Sequence, residues 1–252
     1  GGYVSCGTDD LGIPSVVKTD ASGNLIWAKN INMDFSMGQP SATSIGELNG
    51  GTGYYVLITD NMYTFAWYGN VPYALVKLDV SGNVTSSQIY YTSYQSYLYW
   101  ASVPSVKQLP NGNFLFNLSL WDRMAICCTN SSGTMLWDRT IVNDSVKNPS
   151  LSAVICSDGG VVSLGKRAND LHLVKTDMNG NVQWSRIFDD GGLSYTRGKD
   201  IIKTADGNMV IAGLAGDPSG TYANGFLMKI DNAGNILWNK TYTSNSSYEN
   251  FE

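Results

Sequence analysis

Apolar residues in this chain come in short runs, set apart by clusters of Asp, Asn, Ser and Gly. One arrangement recurs five times, over residues 17–27, 76–86, 127–137, 174–184 and 228–238. Each copy starts with apolar residues ending a run, passes through Asp or Asn, then x-x-Gly, and ends four residues beyond that glycine. The turn glycines are Gly23, Gly82, Gly133, Gly180 and Gly234. A repeat of about 50 residues with strand-like content predicts an array or ring of small sheets.

Each repeat reads as four short strands. In the third, the strands are expected at about 102–109, 113–120, 124–129 and 134–141. The fourth gives 151–156, 161–164, 172–176 and 181–187, and the fifth 200–204, 209–213, 226–230 and 235–241. Turns such as Pro110-Asn111-Gly112 and Asp206-Gly207-Asn208 suit hairpins, because Gly supplies positive φ and Asp or Asn caps its own turn. The third strand of each unit is apolar at consecutive positions (Leu75-Val76, Leu173-Val174, Leu227-Met228), as a strand covered on both faces must be. The architecture that covers both faces of four-stranded sheets is the all-β propeller.

Residues 1–252 therefore read as one β-propeller domain of four-stranded antiparallel blades. Five blades are expected, at about 1–36 with 247–252, then 41–92, 101–142, 150–189 and 198–243; part of a six- to eight-bladed ring is the alternative. The first blade lacks its own first strand, and 247–252 sits where one would begin. The same ends would fit a fragment of a longer array, and the start at Gly1, without Met or a signal peptide, is expected of a processed or truncated product. Trp27, Trp137, Trp184 and Trp238 each follow a turn glycine by four residues and are expected to pack between adjacent blades. Ser86 breaks that rule in the second blade.

The phrases Leu173-Val174-Lys175-Thr176-Asp177, Gly180-Asn181 and Trp184, with Asp158-Gly159-Gly160, resemble the repeats of bacterial secreted propellers, especially Bacteroidetes-type surface proteins. The resemblance covers nearly the whole chain. More distantly, the Asp-x-x-Gly-x-x-x-Trp core is similar to quinoprotein-type propellers. The resemblance implies the propeller fold and export, and leaves function open among adhesins, accessory domains and surface proteins. Asp144-Ser145-Val146 resembles the short O-glycosylation signal of Bacteroidetes.

Composition narrows the partners. Charged residues make up 15% and aromatics 12%, with a net charge of −5. No Lys/Arg cluster offers the basic face that nucleic acid requires. No apolar run is long enough to span a membrane. Cys6, Cys127, Cys128 and Cys156 fit no zinc spacing and read as buried thiols or as one disulfide joining two strands. The single histidine, His172, lies on a third strand where other repeats carry Ser15, Ala74, Ala125 and Phe226, a packed position with no nucleophile motif beside it. Asp20, Asp79, Asp177 and Asp231 recur at turns and read as caps rather than metal ligands. Lys18, Lys77, Lys175 and Lys229 recur as structural ion pairs or snorkelling stems. No catalytic residue, metal or cofactor is assigned.

Departures from the repeat are the better guide to function. Two aromatic segments break it: 60–70, with Tyr63, Trp67 and Tyr68, and 90–100, with Tyr94, Tyr97, Tyr99 and Trp100. In an up-and-down blade both leave from the same face. Such a platform suits a sugar ring or a protein surface. The expectation is a non-enzymatic extracellular or cell-surface binding or structural module that recognises a glycan or protein there, as a component of a larger surface assembly. Self-assembly, with the incomplete first blade accepting a strand from another copy, is a further reading. The alternative is an exported carbohydrate-active enzyme, with Asp122, Asp189 and Asp190 as the loop carboxylates open to that role.

Overall fold

The computed structural model describes residues 1–32, 39–60, 72–91, 102–120, 123–143, 150–188, 195–216 and 223–242. These residues form nineteen strands in five sheets, with no helix among them. The first sheet holds β1 (Tyr3–Thr8), β2 (Pro14–Thr19) and β3 (Leu25–Asn30). The second holds β4 (Pro40–Glu47), β5 (Gly53–Asp60), β6 (Pro72–Asp79) and β7 (Val84–Tyr91). The third comprises β8 (Ser102–Gln108), β9 (Phe114–Leu120), β10 (Arg123–Thr129) and β11 (Met135–Asn143). The fourth has β12 (Ser150–Ile155), β13 (Val161–Arg167), β14 (Asp170–Thr176) and β15 (Val182–Phe188). The fifth has β16 (Tyr195–Lys203), β17 (Met209–Gly216), β18 (Ala223–Ile230) and β19 (Ile236–Tyr242).

Strands follow one another across every sheet in sequence order, so each sheet is an antiparallel meander and corresponds to one repeat. The first sheet has three described strands. Residues 247–252, read from the sequence as a possible fourth, lie outside the described residues. Two compact units are present. One comprises residues 1–116 and 128–136, the other 117–127 and 137–252.

In the first unit, Val4, Cys6, Val16 and Trp27 of the first sheet meet Tyr54, Val56, Ile58 and Val76 of the second. Tyr55, on the opposite face of β5, packs edge-on against Phe114 at 5.3 Å. In the second unit, Val162, Leu164, Leu171 and Leu173 of the fourth sheet meet Ile211, Phe226 and Met228 of the fifth. Consecutive residues of the third strands are buried as their apolar pairs predict: Leu75 and Val76 at 2% and 0%, Leu173 and Val174 both at 0%. Burial of such side chains contributes about 1.5–3 kcal/mol each.

Turn chemistry sets the strand ends. Asp177 Oδ1 accepts from the backbone amides of Asn179 and Asn181, and Oδ2 from the Asn181 side chain. Gly180 takes φ +79°, which only glycine adopts at no steric cost. Asp20, Asp79 and Asp231 make the same bonds. Asn130 holds the third turn with its Oδ1 alone. The residue after each glycine, asparagine in four turns and Thr134 in the third, closes the turn through its own carbonyl, so β11, β15 and β19 each start one residue later than the sequence pattern suggests.

Candidate functional site

All seven aromatic residues singled out from the sequence, Tyr63, Trp67, Tyr68, Tyr94, Tyr97, Tyr99 and Trp100, lie outside the described residues. The strands that carry both segments are described. Thr59 pairs with Tyr73, and Pro72 with Tyr91. The connection after β5 and the one after β7 therefore leave the second sheet from the same end.

One residue inside that end, Tyr73 and Tyr90 form with Phe116 of β9 an aromatic trio whose packing the sequence did not show. Tyr73 stacks on Tyr90 at 5.3 Å, and Phe116 contacts them at 5.3 and 5.4 Å. All three are buried. The Tyr90 hydroxyl donates to the Gly133 carbonyl at 2.8 Å. This accounts for Ser86: where other repeats place a tryptophan against the next sheet's turn, the second reaches that turn with Tyr90. Lys77 adds a bond to the Ser131 carbonyl while its ammonium sits 5.0 Å over Phe114. Partial burial pushes the Lys77 ammonium pKa down.

The recurrent lysines split into two kinds. Lys175 and Lys229 pair with aspartates of their own sheet's first turn, Asp158 at 2.5 Å and Asp206 at 2.6 Å. Lys18 instead lies over Tyr54 of the next sheet at 5.4 Å, as Lys77 does over Phe114. The turn aspartate decides which. Sheets four and five have one in reach; in the first two the ammonium turns to an aromatic face. Lys175 is buried, so its pair with Asp158 is shielded, and Asn232 donates to the same carboxylate at 3.2 Å. At Asp158 and Asp177 burial pushes the carboxyl pKa up, but bonds from Lys175 and from Asn181 outweigh it, and both end below the usual range. Hydrogen bonds lower Asp20, Asp79 and Asp231, led by those from Asn24, Asn83 and Asn235. Asp206 is lowered strongly, first by Lys229 and then by Thr204 and Asn208.

These shifts give a pH dependence. An unfolded aspartate titrates near about 3.9. Each of these groups holds its proton less tightly when folded, so on acidification the unfolded chain gains protons first. Their contribution is complete above the unfolded value and is lost as pH falls through the lower folded values. The urea midpoint is expected to be level from neutral pH down to about 5 and to drop below about 4. A midpoint unchanged down to pH 2 would refute this.

The other sequence candidates separate by position. His172 is buried and its Nε2 shares a 2.8 Å hydrogen bond with Ser185 Oγ. All four cysteines are free thiols, which excludes the inter-strand disulfide in this structure. Burial pushes Cys6, Cys128 and Cys156 up to about 11, so they are protonated and unreactive at neutral pH. Among the described residues no group of His, Cys, Asp or Glu is arranged to hold a metal. Asp122, Asp189, Asp190 and 144–146 lie outside the described residues. A cavity of about 40 Å³ in the second unit, lined by Phe188, Thr196, Phe226, Met228, Asn239 and Thr241, is of the size that holds water.

No protein-family model matches the sequence, and no curated protein matches it either. Solved structures do. The Malassezia sympodialis major allergen Mala s 1 aligns with a TM-score of 0.58 at 14% identity, over 92% of this chain and 76% of the allergen. The Pseudomonas aeruginosa periplasmic gluconolactonase PpgL aligns with a TM-score of 0.55 at 10% identity, over 90% of this chain and 64% of that enzyme. A luciferin-regenerating enzyme aligns with a TM-score of 0.53 at 12% identity, over 96% and 81%. At such identities the likeness is one of fold. The chain is an all-β protein of the propeller class, with five sheets as its blades.

Proposed function

We propose that this chain is an exported, non-enzymatic binding module whose ligand, a glycan or a protein, is held by the aromatic connections of the second sheet. The observation that carries this reading is the strand pairing that sends segments 61–71 and 92–100 off the same end of that sheet. Together they hold Tyr63, Trp67, Tyr68, Tyr94, Tyr97, Tyr99 and Trp100. Rigid aromatic rings lose little rotamer entropy on binding, and such anchors dominate interface energetics. The described turn aspartates and repeat lysines support a binding rather than a catalytic role, because their hydrogen bonds and ring contacts go to the protein itself. Export, to the cell surface or beyond, rests on the resemblance to Bacteroidetes-type surface repeats and on the low charge content.

The test is a glycan-array and surface-protein binding screen with the intact chain, followed by Trp67→Ala and Tyr97→Ala. Each substitution is expected to weaken binding at least about tenfold, a loss of about 1.4 kcal/mol, with the melting temperature unchanged. A fall of several degrees with binding intact would make these rings core. Polysaccharide turnover abolished by substituting one aspartate would make the protein an enzyme instead.

A further inference from the structure

The face of the fifth sheet that meets the fourth does not close over its whole width. Side chains alternate along a strand, so the register places Thr196, Ala215, Phe226, Met228, Asn239 and Thr241 on that one face. Phe226 and Met228 share a core with Leu164, Leu171 and Leu173 of the fourth sheet. Gly213 shapes the rest. It pairs with Phe226, and a Cβ added there would lie 2.5 Å from the Phe226 ring. The ring therefore lies over β17, away from Thr241, its partner on β19. What is left beside β19 is the cavity of about 40 Å³, to which the fourth sheet contributes Phe188 of β15.

The lining of this cavity carries no charge. Phe188, Ala215, Phe226 and Met228 are buried and apolar, while Asn239 and Thr241 stand exposed on β19 at its open side. One buried polar atom lies among the apolar walls. Thr196 is 3% exposed, and its Oγ1 has no hydrogen-bond partner among the described residues. The residue itself is held in place, because its backbone N–H donates at 2.7 Å to the carbonyl of Asn169, between β13 and β14. A buried hydroxyl without a partner is destabilising until something bonds it.

We propose that this cavity binds an acetamido group, the neutral amide carried by an N-acetylated sugar or an acetylated amine. One water needs about 10–15 Å³, so there is room for about three heavy atoms, the methyl, carbonyl carbon and oxygen of an acetyl group. The methyl meets Phe226 and Met228, the carbonyl accepts from the Thr196 hydroxyl, and the amide N–H donates to Asn239 Oδ1 at the open side. A hydrocarbon would leave the Thr196 hydroxyl unpaired. A carboxylate or ammonium would lose its water and find no opposite charge in the lining. Water alone would bond Thr196 but leave the walls of Phe226 and Met228 hydrated. The site is built entirely from the fourth and fifth sheets, so it stands or falls independently of the aromatic connections of the second.

Saturation-transfer NMR with the intact chain tests this, with methyl N-acetylglucosaminide, methyl glucoside and acetyl-lysine as probes. The N-acetylated sugar is expected to receive saturation most strongly at its acetyl methyl, and the glucoside, which lacks the group, to receive little. Acetyl-lysine bound as well or better assigns the group to an acetylated amine; bound more weakly, to a sugar. Thr196→Val keeps the shape of the side chain and removes the hydroxyl. It should weaken binding at least about tenfold, while the melting temperature stays level or rises, because an unpaired buried hydroxyl is removed. Asn239→Ala, at an exposed position, tests the same site should Thr196→Val fold poorly, and should also weaken binding. No saturation at the acetyl methyl at any probe concentration would mean that the cavity holds water only, and overturns the proposal. So does binding that survives both substitutions, or a glucoside that binds as well as the N-acetylated sugar.

Discussion

Gly53→Ala is expected to lower the melting temperature by roughly 6–12 °C, at about 2–4 °C per kcal/mol for a chain of this size. Gly53 starts β5 with φ +154°, a region essentially closed to residues with a Cβ. An added Cβ would lie 2.0 Å from the Leu78 carbonyl oxygen and 3.0 Å from its carbon. The obstacle is backbone, so no rotamer change relieves it. The backbone cannot retreat cheaply, because Gly53 pairs with Asp79 and its carbonyl accepts from Leu48 at 2.9 Å. Strain of this kind with a broken pairing costs at least about 3 kcal/mol. Gly7→Ala is the matched control: that glycine sits inside β1, lacks positive φ and has nothing within 4 Å of its would-be Cβ. It should change stability by no more than about 0.5 kcal/mol. Equal melting temperatures for the two variants would show that the steric argument fails.

The turn-forming glycines were legible in the sequence because each sits at a fixed step from an Asp or Asn that caps it. Gly53 was not, because its role depends on the neighbouring strand's carbonyl, which lies 25 residues away in sequence. The same holds for Gly46. A Cβ there would meet the Tyr55 ring, which crosses the backbone to reach Phe114. The repeat predicted the sheets and their order, since hairpin turns and doubly apolar third strands are local signals. It placed strand ends less well: β16 starts at Tyr195, earlier than the expected 200, across a bulge between Gly198 and Asp200. The repeated tryptophans were expected to do one job at every position. Trp27, Trp137 and Trp184 do so, each against the following sheet's turn. Of the aromatic face, only the departure points of the two segments are described. Tyr90 was read only as the start of the aromatic segment 90–100, because a tyrosine at the end of a strand gives no local sign that it replaces a tryptophan four residues earlier.

Phe116→Ala should cost about 3–5 kcal/mol in urea unfolding, the range for deleting a fully buried phenyl ring. Phe116 is 0% exposed and touches both Tyr73 and Tyr90, so its removal leaves a space bounded by two rings already stacked on each other. Tyr73 and Tyr90 are paired across β6 and β7, and Tyr90 is tied to the Gly133 carbonyl. Neither ring is free to swing into the space, so the cost belongs at the upper part of that range rather than being relaxed away. Tyr90→Phe separates the two contributions of this cluster. It keeps the ring and removes one hydrogen bond, so it should cost only about 0.5–1.5 kcal/mol. If ring packing is what replaces the missing tryptophan of the second sheet, the two variants differ by a factor of two or more. If Phe116→Ala costs no more than Tyr90→Phe, the hydroxyl bond to Gly133 carries the junction and the trio is not its core. The measurement also bears on the binding face. Tyr73 and Tyr90, the rings Phe116 supports, lie one residue inside the strand ends from which both aromatic connections depart, so Phe116→Ala should weaken ligand binding together with stability, whereas Trp67→Ala should weaken binding alone.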